Sequence, residues 1–318
     1  MRLAAILLLV LAALPLRAET LSFGLFGDTP YTHWERQHLP ELLAEMGQAQ
    51  IAFAIHVGDI KSGSTECSDA TLRDIRDAFE QSAVPLVYVP GDNEWTDCHR
   101  RSNGGYDPLE RLARLRELFF RDQFSLGRRK LRLERQSDDP AFVAYRENAR
   151  WEAAGIQFVT LNIPGSENNF HGNRGSDGPV AEFLERSVAN RVWLAAAFAR
   201  AREHKLAGIL IAIQGNPGFH AAAAGRPDPG YAEFIEQLRS ETRRFSGQVV
   251  LVHGDTHHQR VDQPLTTPKT GDTLANFTRV EVHGSPVFGW TEATVDAADP
   301  RLFRFSPKVF RPRQGHGQ

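Results

Sequence analysis

With 318 residues, 41% hydrophobic and 24% charged, the chain has the composition of a folded globular protein long enough to bury a large core, which excludes a disordered or low-complexity polypeptide. A formal net charge of −2 leaves no broad basic face for nucleic acid, and the stretch Arg301 to Arg313 is too diluted by Phe and Pro to act as a polyanion-binding arm. That stretch is expected to hold a last strand and a frayed end.

The chain opens with Arg2, an apolar run from Leu3 to Leu14, and Leu16-Arg17-Ala18 before Glu19, the pattern of an export signal, residues 1–18. The run is shorter than the roughly 20 apolar residues that cross a bilayer, and no other segment is apolar enough to do so. The expected mature protein starts near Glu19, forms one domain over residues 19–318, is a monomer, and is secreted or periplasmic in a bacterium. In an oxidising compartment the two cysteines, Cys67 and Cys98, each a few residues past an acidic turn, are expected to form a disulfide.

Apolar β-rich runs follow in order at Leu21–Phe26, Ile51–Val57, Val84–Val89, Ile156–Asn162, Gly208–Ile213 and Gln248–His253, each closed by Gly, Asp, Asn or Pro. Helical patterns alternate with them at His38–Gln50, Ala70–Gln81, Pro108–Phe120, Val180–Glu203 and Tyr231–Phe245. This grammar predicts an α/β protein with a largely parallel sheet and helices on its faces. Arg128–Ala154 is expected as an inserted hairpin, and Thr278–Val295 with Leu302–Phe305 as closing antiparallel strands.

The strand ends carry the chemistry. They read Gly27-Asp28, Gly58-Asp59, Gly91-Asp92-Asn93-Glu94, Gln214-Gly-Asn-Pro217 and His253-Gly-Asp-Thr-His-His258. In an open α/β sheet such turns converge beyond the carboxyl ends of the strands. Several carboxylates gathered there repel one another unless a cation neutralises them, so their company with His257 points to a metal site. Glycine before each acid permits a sharp turn and close approach.

The order Asp28, Gly58-Asp59, Gly91-Asp92-Asn93-Glu94 and Gly254-Asp255-Thr256-His257 resembles the calcineurin-like metallophosphoesterases, the superfamily of purple acid phosphatases and many phosphodiesterases. The resemblance spans nearly the whole mature chain. It implies a four-layer α/β/β/α sandwich around a central pair of mixed β-sheets, with two divalent metal ions beyond the strand ends. It also implies hydrolysis of a phosphoester by a metal-bound hydroxide.

The chain departs from the family pattern at several points. The family's Asp-x-His reads Asp28-Thr29-Pro30, which leaves a ligand missing unless His33 reaches in; a further Asp becomes Ser62; Gly-Asn-His becomes Gly91-Asp92-Asn93, so that Asn93 replaces the His that protonates the leaving group. The later lone His becomes Gln214, and Gly-His-x-His becomes Gly254-Asp255-Thr256-His257. The resemblance then implies one pocket of Asp28, Asp59 and His257, suited to Mn, Fe or Zn. A second, oxygen-rich pocket of Asp59, Asp92, Gln214 and Asp255 suits Mg²⁺, Ca²⁺ or Mn²⁺. A slip of one residue would make Asn93 the ligand in place of Asp92.

Glu94 is expected to orient a neighbour, His56 to hydrogen-bond in the core, and His253 to face away from Asp255. Lys61, two residues past Asp59, is placed to hold a phosphate oxygen, the alternative being a solvated lysine. The loop with Asn162, Asn168, Asn169 and His171 is of the kind that binds substrate. Two readings follow: an exported metal-dependent phosphoester hydrolase in which His33 or Lys61 supplies the missing proton, or a non-catalytic relative that binds a metal or phospholigand at the envelope.

Overall fold

The computed structural model describes residues 20–173, 175–267 and 270–312, so the expected signal segment lies outside the described residues. In chain order the elements are β1 (Leu21–Phe26), α1 (His33–Gln48), β2 (Ala54–His56), α2 (Asp69–Glu80), β3 (Leu86–Tyr88), α3 (Pro108–Phe119), β4 (Glu134–Arg135), β5 (Ala149–Ala153) and β6 (Ile156–Thr160). They continue as α4 (Gly165–Asn168), α5 (Ala181–Glu203), β7 (Gly208–Ala212), α6 (Phe219–Ala223), α7 (Ala232–Arg244), β8 (Gln248–His253), β9 (Arg260–Asp262), β10 (Phe277–Glu281), β11 (Gly289–Val295) and β12 (Phe303–Val309).

Two mixed sheets form, one in the order β12-β11-β1-β2-β3 and the other β4-β5-β6-β7-β8-β10-β9. Alternation along each strand sends one set of side chains between the sheets and the other outward. Phe23, Leu25, Ile55, Leu210, Ala212, Val250 and Val252 fill the space between the sheets. Outward, Phe26 and Ala54 pack with Leu39, Leu42 and Phe79 of α1 and α2, while Ile209, Ile211, Val249 and Leu251 pack with Leu194, Phe198 and Leu238 of α5 and α7. Because both faces of the central strands are covered, those strands read as continuous apolar runs. The expected four-layer α/β/β/α sandwich is the architecture observed.

Several local expectations need correction. The first helix starts at His33, five residues before the expected His38, because Thr32 and Glu35 form a capping box: Thr32 Oγ1 accepts from the Glu35 N–H at 3.1 Å, and Glu35 accepts from the Thr32 N–H at 3.0 Å. Pro40 lies inside that helix. Ile51–Val57 and Val84–Val89 yield strands of only three residues each, Ala54–His56 and Leu86–Tyr88. Arg128–Ala154 is not a simple hairpin; β4 pairs with β5 across short 3₁₀ turns. β10 runs parallel to β8, not antiparallel, and β11 belongs to the other sheet, antiparallel to β1.

Cys67 and Cys98 are bonded, with Cα atoms 5.8 Å apart and 31 residues of separation. The bridge ties the loop after β2 to the loop after β3. By the chain-entropy account a loop of this length is worth roughly 3–4 kcal/mol. A Cys67→Ser/Cys98→Ser protein is therefore expected to unfold at clearly lower denaturant concentration than the oxidised parent. Thiol titration of the unreduced, denatured parent should find no free thiol.

Candidate metal centre

Asp28, Asp59, Asp92 and Asp255 lie just past the carboxyl ends of β1, β2, β3 and β8, with Gln214 past that of β7, all on one rim. Asp28, Asp59, Asp255 and His257 each hold a left-handed backbone, with φ of 50°, 59°, 77° and 58°. Such conformations cost non-glycine residues energy and gather at functional sites. The neighbouring glycines leave room for the side chains. A Cβ on Gly254 would fall 2.2 Å from Asp28 Oδ2, one on Gly91 2.2 Å from Asp59 Oδ1, and one on Gly165 2.5 Å from Asp255 Oδ1 and 2.8 Å from Asp92 Oδ2. Gly165, which opens α4, thus marks the point where the Asp92 and Asp255 carboxylates meet.

Hydrogen bonds fix the cluster. Asp28 accepts from the Asp255 N–H at 3.0 and 3.1 Å. Asp59 Oδ2 accepts from the Tyr31 hydroxyl and from Asn93 Nδ2, both at 2.6 Å, and its Oδ1 accepts from the Asn93 N–H at 3.1 Å. Asp92 Oδ1 accepts from Gln214 Nε2 at 3.2 Å, the Gln214 Oε1 accepts from the Gly165 N–H, and Asp255 Oδ2 accepts from the Asn216 N–H at 3.0 Å. The Ser166 hydroxyl, with one proton to give, lies 2.7 Å from Asp92 Oδ2 and 2.8 Å from Asp97 Oδ1. Asn93 therefore belongs to the Asp59 side of the cluster and Asp92 to the Asp255 side.

His257 Nδ1 lies 2.6 Å from the Ser285 carbonyl, which can only accept, so Nδ1 carries the proton. Its Nε2 then presents a lone pair, 3.9 Å from Asp28 Oδ1. Carbonyl support of this kind orients a metal-ligating imidazole. Glu94, fully buried, accepts from the N–H groups of Asp59, Ile60 and Gly91 at 3.0, 3.3 and 2.6 Å and from the Tyr88 hydroxyl at 2.7 Å. It locks the turns after β2 and β3 together, as expected of an orienting group. His56 bonds the Thr29 carbonyl at 2.9 Å inside the core.

Burial and mutual repulsion raise the acids. Asp28 is pushed well above the carboxylate range by desolvation and then by Asp255, Asp92 and Glu281; Asp59 likewise by desolvation and then by Asp92, Glu94 and Asp28. Asp255 is raised to about 7, by burial and then by Asp92. An acid raised by folding binds its proton more tightly in the folded chain, so its stability contribution is full below the unfolded value and is lost as pH rises toward the folded one. Chelator-treated protein should therefore melt at lower temperature near about pH 8 than near about pH 5, and saturating divalent cation should narrow the gap. An equal or higher melting temperature at the alkaline end would contradict this electrostatic account.

No family model and no curated protein sequence gives a significant match to the chain. Solved structures do. A dimetal phosphatase from Danio rerio is 12% identical, with 91% of this chain and 96% of that one covered at a TM-score of 0.56. GAP50, the anchor in the inner membrane complex of Plasmodium, is 9% identical over 92% of this chain and 90% of its own, with a TM-score of 0.52. PhoD is 11% identical over 93% and 70%, also with a TM-score of 0.52. The fold is that of the calcineurin-like metallophosphoesterases.

In this metallophosphoesterase fold, no three His, Cys, Asp or Glu side chains among the described residues stand close enough to hold an ion as they are placed. The donor chemistry nevertheless fits divalent cations. Buried carboxylates converge with no ion pair from Lys or Arg to Asp28, Asp59, Asp92 or Asp255 among the described residues, the glycines keep a cradle open beside them, and one imidazole lone pair faces them.

Asp28, Asp59, Asp92, Asn93, Gln214, Asp255 and His257 are brought together. His33 is not; it is exposed at the start of α1 and lines a separate cleft with Lys61. Lys61 is 2% exposed and so is no solvated loop lysine. Asn168 and Asn169 lie in the turn after Pro164, where Asn168 Nδ2 donates to the Gly230 carbonyl and Arg186 holds Asn168 Oδ1, so both are structural in this arrangement. Sequence reasoning missed Tyr31, Ser166 and Asp97. Tyr31 had a local signal, since it immediately precedes the Thr32-x-x-Glu35 capping box and so sits at the entry to a helix beside Asp28. Ser166 had none.

Proposed function

We propose that this protein is an exported, divalent-metal-dependent hydrolase of phosphomonoesters or phosphodiesters. The observation that carries the reading is the convergence of Asp28, Asp59, Asp255 and His257, all in left-handed backbone, on one rim of this fold. The Cys67–Cys98 bridge supports an oxidising compartment, and among the described residues no helix is long and apolar enough to cross a membrane.

Two ions would be held, one by Asp28, Asp59 and His257 and the other by Asp59, Asp92, Gln214 and Asp255. When bound they supply Lewis acidity at the phosphoryl oxygens and lower the pKa of water. The chain's own residues do the rest. Tyr31 and Asn93 fix the Asp59 carboxylate, Ser285 fixes the His257 tautomer, and Glu94 fixes the turns that carry Asp59 and Asn93. The Asn93 amide cannot supply a proton, which favours substrates whose leaving group departs without one.

Elemental analysis of the purified mature protein, beside turnover of an aryl phosphodiester, tests this. Asp59→Ala and His257→Ala should each lower metal stoichiometry and melting temperature together, because a lost ion removes the stabilisation that binding to the native state gives. Unchanged metal content in both variants would refute the ligand assignment.

One observation favours a second reading, a non-catalytic binder: Asp59 is already satisfied by Tyr31 and Asn93. The fold is also shared by GAP50, an anchor protein. Metal content without turnover on any phosphoester would select it.

A further inference from the structure

A buried lysine with a single hydrogen bond lies beside the carboxylate cluster, where the charges of Glu94 and Asp59 act on it from beyond ion-pair distance. Lys61 Nζ has three protons to donate, yet it makes one hydrogen bond, to the Ser62 carbonyl at 3.1 Å, and no ion pair among the described residues. A cation taken out of water is costly unless an anion or several acceptors compensate it. Lys61 lines an open cleft of about 260 Å³ between the start of α1 and α2, together with Tyr31, His33, Thr65 and Thr71. The carboxylate on that wall, Asp74, is engaged by a two-pronged ion pair with Arg36, at 2.6 Å from both guanidinium nitrogens. The cleft therefore offers a lysine with unfilled donors, hydroxyls and an imidazole, and the one carboxylate among its lining residues is already paired. Tyr31 forms the partition: it lines the cleft, and its hydroxyl donates to Asp59.

We propose that this cleft is a second anion subsite, which takes a phosphate or like tetrahedral oxyanion carried by the substrate beyond the ester that is cleaved. An oxyanion there completes the Lys61 donors and sits one aromatic ring away from the cluster, so the preferred substrate carries two anionic groups. The assignment of the anion to a substrate rests on the hydrolase reading; the existence of the site does not.

The first experiment separates the two. With metals removed by chelator the carboxylate cluster holds no cation to attract an anion, so saturable binding of sulfate to the mature protein, followed by calorimetry, reports the cleft. Lys61→Met and Thr71→Phe, the second chosen to fill the cleft without touching the cluster or removing the cation, should each weaken sulfate about tenfold or more, with Lys61→Arg retaining most of it. Absence of saturable sulfate binding in the parent, or binding unaltered in both variants, overturns the subsite, whatever the activity of the metal-loaded protein.

The second experiment fixes the source of the anion. In metal-loaded protein the ratio of kcat/KM for a sugar bisphosphate over that for an aryl monophosphate should fall about tenfold in Thr71→Phe, mainly through KM. If that ratio is unchanged while inhibition by inorganic phosphate is relieved, the cleft holds released phosphate and the claim about the substrate is withdrawn.

Discussion

Glu94→Ala will destabilise the protein by about 4 kcal/mol, because it strips the acceptor from four buried donors at once and each unsatisfied donor carries its own desolvation cost. The donors are the N–H groups of Asp59, Ile60 and Gly91 and the Tyr88 hydroxyl, and Glu94 itself is fully buried, so water has no ready access to replace it. Burial pushes the carboxyl up, but the Gly91 and Tyr88 bonds act against that shift, and only the ionised form can accept from all the donors. Glu94→Gln keeps one oxygen and turns the other into a donor facing donors, so it should cost less than alanine but still about 2 kcal/mol. Urea unfolding monitored by fluorescence checks both. Because Glu94 holds the turns on which Asp59 and Asn93 stand, both variants should also lose metal affinity; an alanine variant within about 1 kcal/mol of the parent would show that these bonds add little.

That network explains what was readable from the sequence and what was not. Strands such as Leu21–Phe26 and Gln248–His253 are apolar on both faces and are followed directly by Gly, so period and punctuation locate them. The rim acids follow, since they belong to those strand ends. Glu94 was legible as an orienting group because it stands in the same turn. Ser166 was not. It lies in a run from Ser166 to Asn169 with φ between 48° and 56°, a conformation no local pattern announces, and it meets Asp92 and Asp97 from 74 and 69 residues away. The parallel pairing of β10 with β8 was equally hidden, because register and direction depend on which sheet a strand joins and not on its own alternation. The early start of α1 was there to be read in Thr32-x-x-Glu35, a capping-box pattern that the expected start at His38 passed over.

Asn93→His is expected to raise hydrolysis of phosphoesters with poor, alkyl leaving groups about 100-fold, while turnover of nitrophenyl esters changes little, since a positioned general acid contributes most where the departing oxygen needs its proton. The position is the one at which the resemblance to the metallophosphoesterases implies a histidine, and here it is filled by an amide that bonds Asp59 Oδ2 at 2.6 Å and the Tyr31 hydroxyl at 2.9 Å. An imidazole beside Asp59 would be oriented by the same carboxylate and held in its charged form by it, ready to donate from the opposite nitrogen. Space is the obstacle: a Cβ on Gly63 would already lie 3.0 Å from Asn93 Oδ1, and Tyr31 closes the other side. Combining Asn93→His with Tyr31→Phe removes the competing hydroxyl without opening the wall. The gain should then appear as a shallower dependence of rate on leaving-group pKa and a new alkaline limb in the pH profile, where the imidazolium loses its proton. If the rate falls equally for good and poor leaving groups while metal content is retained, the imidazole is not placed to protonate the leaving oxygen, and Asn93 serves only to hold Asp59.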